Sequence, residues 1–375
     1  MLVRDVLLDR SSDVLDWINN RDISISGTVL YSSVDVRESK FKIAPVDINL
    51  FPSGFNNFSN KINLLRDKLS NLIKGKSKIA LLVENFTRNR NYLANVEVLK
   101  ESFGAIELLT IDPELFRIVK FSLEGKIETA ELDDFDMIIL NNDLNSGCPD
   151  ELLHVRHKTL PDPKLGWYRR RKNVHLELYN QLIDEMCYDL KLDIDPWLLK
   201  TIISKCEDVD FRHKNGLEKL AQKVDEVLLM VEEKYKQHSI TDCKPHLFVK
   251  ANNGTFGMGI MVIESFEEIL SINKRNRHSM SILKNGISNL EVVIQEGIPT
   301  YLQTAGVPME NVLYSVNNAL IGKLVRFNQN KNDRSNLNSI GMEIRVNNKV
   351  DLVDKITSKL CDLTSKIELK LLDTL

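Results

Sequence analysis

The chain has 375 residues, of which 43% are hydrophobic and 27% are charged, as expected of a globular protein with two or three domains. Its formal net charge of −3 gives no overall electrostatic basis for binding nucleic acid or an acidic membrane. The five cysteines are odd in number and contain no CxxC pair, which argues against a disulfide framework or a zinc site.

The first residues, MLVRDVLLDRSSDVLDW, do not read as a signal peptide, because Asp5 and Asp9 come too early. No apolar run approaches the roughly 20 residues that a membrane-spanning helix needs. We therefore expect a cytoplasmic protein without a membrane partner.

Residues 1–165 are predicted to form an α/β domain. Helices are expected over 12–20, 60–74 and 90–103. Between and after them, the apolar runs KIALLVENF (78–86) and MIILNN (137–142) are typical of strands buried on both faces, as in a parallel sheet. Strand–helix–strand alternation favours this fold class.

The remainder divides into two further predicted regions. Residues 166–245 are expected to be mainly helical, with an amphipathic helix marked by apolar residues at three- and four-residue spacing: Leu217, Leu220, Val224, Val227, Val231 and Tyr235. Residues 246–375 are expected to form an α+β region, with strands at 247–252, 258–264, 291–296, 311–316 and 319–327. A closing helix is predicted from Val353, Ile356, Leu360, Leu363 and Ile367.

A glycine-rich stretch, HLFVKANNGTFGMGIMVIES (246–265), contains Gly254, Gly257 and Gly259 between two apolar runs. Glycine lets the backbone approach a ligand closely, and successive N–H groups in such a loop can bind phosphate. The stretch is neither a Walker A motif nor a dinucleotide-binding fingerprint, because no GK[ST] and no helix follow. Alone, it fits an ordinary hairpin better than a phosphate site.

Its neighbours favour a phosphate site. Lys250 lies in the strand before the glycines, where a buried ammonium needs an anion, although a lysine at a sheet edge would point outward. A later strand ends in Gln295 and Glu296, which could reach an adenine edge. Arg326 ends another strand, and arginine suits a transferring phosphoryl group.

The ordered set of motifs resembles the ATP-grasp fold, distantly that of glutathione synthetase. More closely, the chain resembles the ATP-grasp-like glutamate–cysteine ligase family of proteobacteria. The segments that carry this resemblance are APVDINLFPSGFNN (44–57), ENFTRNRNYLANV (84–96), LNNDLNSGCPD (140–150), GWYRRRKNVHLELY (166–179), FVKANNGTFGMGIM (248–261), VIQEGIPT (293–300) and SNLNSIGM (335–342).

The resemblance implies ATP-dependent ligation of L-glutamate to L-cysteine through an acyl phosphate, with ATP and Mg²⁺ bound in the α+β region and a parallel-sheet domain before it. Lys250 and Arg326 would be catalytic. The implied ATP-binding residues are Lys250, Gly254, Thr255, Gly257, Gly259, Gln295 and Glu296. The implied metal ligands are Asn336, Asn338 and Glu343.

Glutamate would be held by residues that follow the strands of the first domain and by the arginine cluster. These are Arg88, Asn141, Asn142, Asp143, Arg170 and Arg171, each of which could instead serve as a cap, a turn or a salt bridge. The chain has Asn252 and Asn317 where the family tends to have aspartate.

Two alternatives stay open at this point. The chain could be an ATP-grasp ligase for another amino acid, or a homologue that binds nucleotide without catalysis. Nucleic acid is not an expected partner, and a homo-oligomer remains open.

Overall fold

The computed structural model describes residues 3–24, 29–85, 88–105, 107–124, 126–254, 259–281 and 289–374. The predicted mixture of α/β and α+β structure is confirmed at the level of a mixed fold with several sheets. The described helices are α1 (Val3–Asp9), α2 (Ser11–Ser24), α3 (Ile62–Ile73), α4 (Arg90–Phe103), α5 (Asp150–His154), α6 (Lys172–Asp189), α7 (Leu217–Gln237), α8 (Glu267–Leu270), α9 (Lys274–Ser281) and α10 (Leu352–Thr374). Within the described ranges, none of these helices is long and apolar enough to cross a membrane.

Fifteen strands occur in the described part of the chain, and they form three sheets. They are β1 (Tyr31–Glu38), β2 (Ile43–Asn49), β3 (Ile79–Val83), β4 (Glu107–Asp112), β5 (Arg117–Lys120), β6 (Met137–Asn141), β7 (Thr159–Leu160), β8 (Ile203–Glu207), β9 (Leu247–Ala251), β10 (Ile260–Ile263), β11 (Glu291–Glu296), β12 (Gln303–Thr304), β13 (Val307–Val316), β14 (Ala319–Phe327) and β15 (Glu343–Asn347).

The first sheet has the order β5–β4–β3–β6–β7, and β3 pairs in parallel with both β4 and β6. Every residue of β3 and β6 is buried, which accounts for their unbroken apolar sequences. Helix α4 begins at an Asn89 cap, whose side chain accepts from the Tyr92 amide, and ends at Gly104, which has a φ of 62°. The predicted helix over 90–103 is confirmed.

The second sheet has the order β10–β9–β11–β8 and is antiparallel at every pair. Helix α7 covers one face and buries the apolar stripe that the sequence predicted. Strand β8 (Ile203–Glu207) lies within the segment 166–245 that the sequence predicted to be mainly helical, and it pairs with β11. Its burial is partial, so no strong apolar run signalled it.

The third sheet has the order β15–β14–β13–β1–β2, with β12 paired to β13. Asn317 and Asn318 form the β13–β14 turn with φ of 47° and 61°, the positive values that a tight two-residue hairpin turn requires. The sheet joins β1 and β2, near the start of the chain, to β13, more than two hundred residues later. The division at 165 and 245 therefore stays a prediction, and this sheet draws strands from both sides of it.

Candidate functional site

A cavity of about 120 Å³ lies between the third sheet and the second sheet. Strands β1, β2, β13 and β14 supply one side, and β9 and β10 supply the other. Its lining residues are Ser33, Asp35, Arg37, Val46, Asp47, Asn49, Trp167, Phe248, Lys250, Ile260, Glu310, Arg326, Asn336 and Asn338. The lining contains three carboxylates and three basic side chains, so the site is polar and its charges balance.

Strand alternation brings the side chains of β1 and β2 into this cavity. Ser33, Asp35 and Arg37 are two residues apart and therefore share one face of β1. On β2, Asp47 lies opposite Asp35 and Asn49 lies opposite Ser33. Two strands thus present a compact polar surface towards the cavity.

Four of the charged lining residues form one buried network. Arg326 donates to Asp35 Oδ2 and to Glu310 Oε1, each at 2.7 Å, and Arg37 Nε donates to Glu310 Oε2 at 2.7 Å. Burial raises the pKa of the Asp35 carboxyl, although the Arg326 charge opposes that shift. Burial also disfavours ionised Glu310, but Arg37 and Arg326 together hold its pKa below the usual range. Removing any one member would leave buried charge uncompensated.

Lys250 projects from β9 into the cavity from the opposite sheet. Its ammonium donates to the Val46 carbonyl oxygen at 3.0 Å and to Gln295 Oε1 at 2.6 Å. Burial lowers the pKa of Lys250 to about 8, while the Asp47 charge works in the opposite direction. The hydrogen-bond partners of the Lys250 ammonium are both neutral, so its positive charge can interact with an anion in the cavity.

Asp47 on β2 supplies the negative charge near the ammonium groups of Lys172 and Lys250. Burial disfavours its ionised form, but the charges of Lys172 and Lys250 outweigh that effect and lower its pKa. Lys172 donates to Asp47 directly. The ammonium of Lys172 also lies 4.7 Å from the centre of the Trp167 ring, which is itself a wall of the cavity.

Two arginines hold the asparagine loop, defined as residues 328–342, against the rest of the site. Arg37 donates to the carbonyl oxygens of Asp333 at 3.2 Å and Ser335 at 2.6 Å. Arg334 donates to the carbonyl oxygens of Lys244 and Pro245, each at 3.1 Å. The loop is thereby tied to both sheets, and it places the predicted Asn336 and Asn338 at the cavity wall.

Gln295 and Glu296, the residues predicted to reach the adenine, have different environments. Gln295 is buried and contacts Lys250 and Thr201. Glu296 is fully buried, accepts from Lys42 at 2.7 Å and from Trp197 Nε1 at 3.1 Å, and does not line the cavity. Burial lowers the pKa of Lys42 to about 8, although Glu296 opposes the shift. The Glu296 carboxylate thus holds the end of β11 in place through buried contacts outside the cavity lining.

The glycine loop is described only at its two ends. Gly254 has a φ of 93°, and a side chain placed there would meet Asn145 Oδ1 at 3.5 Å. Gly259 has a φ of 61°, and its carbonyl oxygen accepts from the Ala251 amide. Both glycines adopt backbone conformations that other residues rarely do. The predicted ATP contacts of Thr255 and Gly257 lie outside the described residues.

The arginines predicted to bind glutamate have protein partners. Arg170 is buried and donates to Glu368 at 3.0 Å, and His175 contacts the same carboxylate at 2.9 Å. Arg171 donates to Glu291 at 2.9 Å. Neither arginine lines the cavity, while Trp167 in the same segment does.

The other predicted glutamate-binding residues follow β3 and β6. Asn141 donates to the Pro52 carbonyl oxygen, and Asn142 donates to the Val83 carbonyl oxygen. Asp143 accepts from the Asn145 amide. Arg88 is exposed. The structure brings these residues to one end of the first sheet but not into the lining of the cavity.

The predicted metal ligands separate into two groups. Asn336 and Asn338 line the cavity, but Glu343 lies on β15 opposite Phe327, on the sheet face away from Arg326. Among the described residues, no group of three His, Cys, Asp or Glu side chains could hold a metal ion. The lining carboxylates with the asparagines nevertheless suit Mg²⁺, which usually binds one or two carboxylates together with substrate phosphates.

Sequence reasoning missed the residues of β1, β2 and β13 that complete the site, including Asp35, Arg37 and Glu310. The signal for β1 was the alternation in SSVDVRE, where polar residues recur at every second position. The segment containing Asp47 was recognised by its resemblance, but its role was not predicted.

A family model and a solved structure each match nearly the whole chain. The family model described as GshA, glutamate-cysteine ligase, matches residues 4–358. A crystal structure from Methylobacillus flagellatus KT, described as "Putative gamma-glutamylcysteine synthetase", is 30% identical to the chain, with a TM-score of 0.81. That similarity covers 98% of this chain and 95% of the other. Among curated proteins, none matches the sequence significantly.

Proposed function

This chain belongs to the glutamate-cysteine ligase family, and on that premise we propose that its central cavity binds ATP and joins L-glutamate to L-cysteine through an acyl phosphate. The ligase activity predicted from the sequence is confirmed by the family and by the solved structure that the chain resembles. Glutamate-cysteine ligases use ATP and a divalent metal, and they act in glutathione biosynthesis. The use of Mg²⁺ and the assignment of residues belong to our proposal.

One observation carries the proposal. Lys250 and Arg326 enter a single cavity from facing sheets, and both are buried among carboxylates and carbonyl oxygens. A polyanion between them would be neutralised from two sides in a site with little water, where electrostatic stabilisation is strong. This arrangement supports an ATP-grasp fold, in which the second and third sheets enclose the nucleotide.

The phosphate end of ATP would lie between Lys250 and Arg326. The Lys250 ammonium would contact the phosphates from β9, with Gln295 holding it in place. Arg326 would face the γ-phosphate, because its two carboxylate partners fix the guanidinium at the far side of the cavity. The ends of the glycine loop at Gly254 and Gly259 have the backbone freedom that a close approach to phosphate requires.

Oxygen ligands for Mg²⁺ would come from Asp35, Glu310, Asn336 and Asn338, all of which line the cavity. When bound, Mg²⁺ supplies positive charge to the phosphate oxygens during phosphoryl transfer. Arg37 would hold the asparagine loop so that the two amides keep their positions.

In the proposed reaction, a γ-carboxylate oxygen of glutamate attacks the γ-phosphorus of ATP, and the bond from that phosphorus to the bridging oxygen of ADP breaks. The cysteine amine then attacks the acyl carbon and releases inorganic phosphate. The chain's contribution is alignment and charge, since this chemistry needs no side-chain nucleophile. Asp47 and Asn49 at the Trp167 side of the cavity would receive the amino-acid substrate, because an ionised carboxylate there can accept from its ammonium.

An isotope experiment tests the acyl phosphate. Glutamate labelled with ¹⁸O in its γ-carboxylate is incubated with ATP, Mg²⁺ and cysteine, and the released phosphate is analysed by mass spectrometry. We expect one labelled oxygen in each phosphate released, because the attacking oxygen leaves with the phosphoryl group. Ligation that releases unlabelled phosphate would overturn the proposed intermediate while leaving the ligase activity intact.

A second experiment tests the residue assignment without measuring turnover. Binding of ATP in the presence of Mg²⁺ is measured by calorimetry for the unmodified chain and for Asp35→Asn. We expect weaker binding by the variant with Mg²⁺ and a smaller difference without it. An equal change under both conditions would remove Asp35 from the proposed metal ligands.

A further inference from the structure

Strand β15 forms an edge of the third sheet and is open to solvent. Its inner side pairs with β14, and among the described residues no strand pairs with its outer side. Apolar side chains nevertheless recur along it. Met342 and Val346 are each 40% exposed, and Ile344 is 39% exposed. An exposed edge strand with an apolar face is a site at which sheets join, and folded proteins usually protect such edges with charge, proline or a bulge.

The sequence of β15 separates its two faces cleanly. Ile344 and Val346, together with Met342 directly before the strand, alternate with Glu343 and Arg345, so the apolar residues share one face and the two charged residues share the other. The charged side chains are 52% and 67% exposed, and their own separation of 3.8 Å makes only a loose pair. Both therefore have room for a closer partner.

We propose that β15 is a dimer interface, at which it pairs antiparallel with β15 of a second copy of this chain about a twofold axis at Ile344. In this register Ile344 lies opposite Ile344 of the second copy, and Met342 lies opposite Val346. Glu343 lies opposite Arg345 of the second copy, and Arg345 lies opposite Glu343. The strand is thus complementary to itself on both faces.

Charge complementarity favours β15 of a second copy over an unrelated strand as the partner of β15. A twofold axis uses each contact twice, so a single Glu343–Arg345 match gives two opposite-charge pairs across the strands. A twofold axis one residue later, at Arg345, would place two arginines opposite each other. The sequence therefore favours one register of self-pairing and disfavours its neighbour.

The interface would lie close to the candidate site. Ile344 is in register with Arg326 on β14, so both are on the same sheet face, one strand apart. Pairing at β15 would join the third sheets of two copies edge to edge and would leave the second sheet of each copy outside the contact. Dimer formation at β15 would therefore stabilise its neighbour β14, the strand that carries Arg326.

The test is a charge exchange between copies, read by analytical ultracentrifugation. The unmodified chain is expected to sediment as a dimer. E343R places arginine opposite arginine in both cross-strand pairs, and R345E places glutamate opposite glutamate, so each variant alone is expected to be monomeric. An equimolar mixture of the two restores both opposite-charge pairs and is expected to form a heterodimer. The double variant E343R/R345E is expected to form a homodimer again.

Controls separate assembly from folding. Each variant is checked by circular dichroism and thermal unfolding, and Glu232→Arg, on an exposed position of α7, controls for the charge change itself. A monomeric unmodified chain overturns the proposal. Dimers formed by either single variant alone, or a mixture that stays monomeric, overturn the proposed pairing.

Discussion

Arg326 on β14 donates a 2.7 Å hydrogen bond to Asp35 on β1, which lies 291 positions earlier in the chain. The same guanidinium nitrogen donates to Glu310 on the intervening strand β13. One arginine therefore neutralises carboxylates from two other strands, and it does so in the cavity wall where we place the γ-phosphate. The pairing links the stability of the third sheet to the geometry of the reaction.

Replacing Arg326 by methionine should destabilise the chain by about 3–5 kcal/mol, because the buried carboxylate of Glu310 and the half-buried carboxylate of Asp35 lose their shared partner. Urea unfolding measures this loss. Adding Asp35→Asn to the methionine variant should recover part of it, since one uncompensated charge is removed. A double variant no more stable than Arg326→Met would show that unpaired charge is not the cause.

Arg326→Lys should fold well but lose activity, because lysine cannot reproduce the forked contacts.

Replacing Lys250 by alanine should raise the KM for ATP and lower kcat, with kcat/KM falling on the order of 10- to 100-fold, as for the loss of a hydrogen bond to a charged group. Lys250→Met keeps the apolar stem of the side chain and separates lost charge from lost volume. Lys236→Ala, on the exposed face of α7, is the control. ATP kinetics that Lys250→Met leaves unchanged would place the phosphates elsewhere.

The pH dependence of ATP use should also depend on Lys250. Burial lowers its pKa from that of an ordinary lysine to about 8, so its ammonium loses a proton as the pH rises through that value while exposed lysines stay charged. We expect kcat/KM for ATP to fall above about pH 8. Lys250→Arg should remove this fall, because arginine stays charged. A fall that persists in Lys250→Arg would point to another group, such as Lys42, whose pKa is also about 8.

Four of the predicted site residues line the cavity, and all four belong to the predicted α+β region: Lys250, Arg326, Asn336 and Asn338. Lys250 and Arg326 lie near the ends of regular apolar strands, and the intervening segments carry motifs that resemble a known family. Asp35 and Glu310 were missed because their role depends on the strand order β14–β13–β1, which no local pattern encodes. The charged positions become a site only after non-local pairing.

Burial explains the other differences. Glu296 ends the apolar strand β11 and was predicted to reach the adenine, but Lys42, 254 positions earlier, donates to its carboxylate in the interior. Asn252, where an acid was expected, donates to Asn173 and to Glu291, each at 2.7 Å. An aspartate there could donate neither bond and would face Glu291, so the asparagine is suited to its neighbours in this chain.

Trp167 lines the cavity, and its indole N–H is buried without a protein partner among the described residues. A buried, unpaired donor is costly, which is consistent with a donor kept for a ligand. Trp167→Phe removes the N–H but keeps an aromatic ring for the cations of Arg170 and Lys172, which lie 4.9 and 4.7 Å from the ring centre. We expect the KM for L-glutamate to rise about tenfold and the KM for ATP to stay unchanged. The free energy of unfolding should change by less than about 2 kcal/mol, since losing an unpaired donor offsets part of the lost packing.

Trp197→Phe is the matched control, because the Trp197 N–H already donates to Glu296 and its loss should affect stability rather than the KM for glutamate. A Trp167→Phe enzyme with an unchanged KM for glutamate would show that this N–H does not bind the substrate.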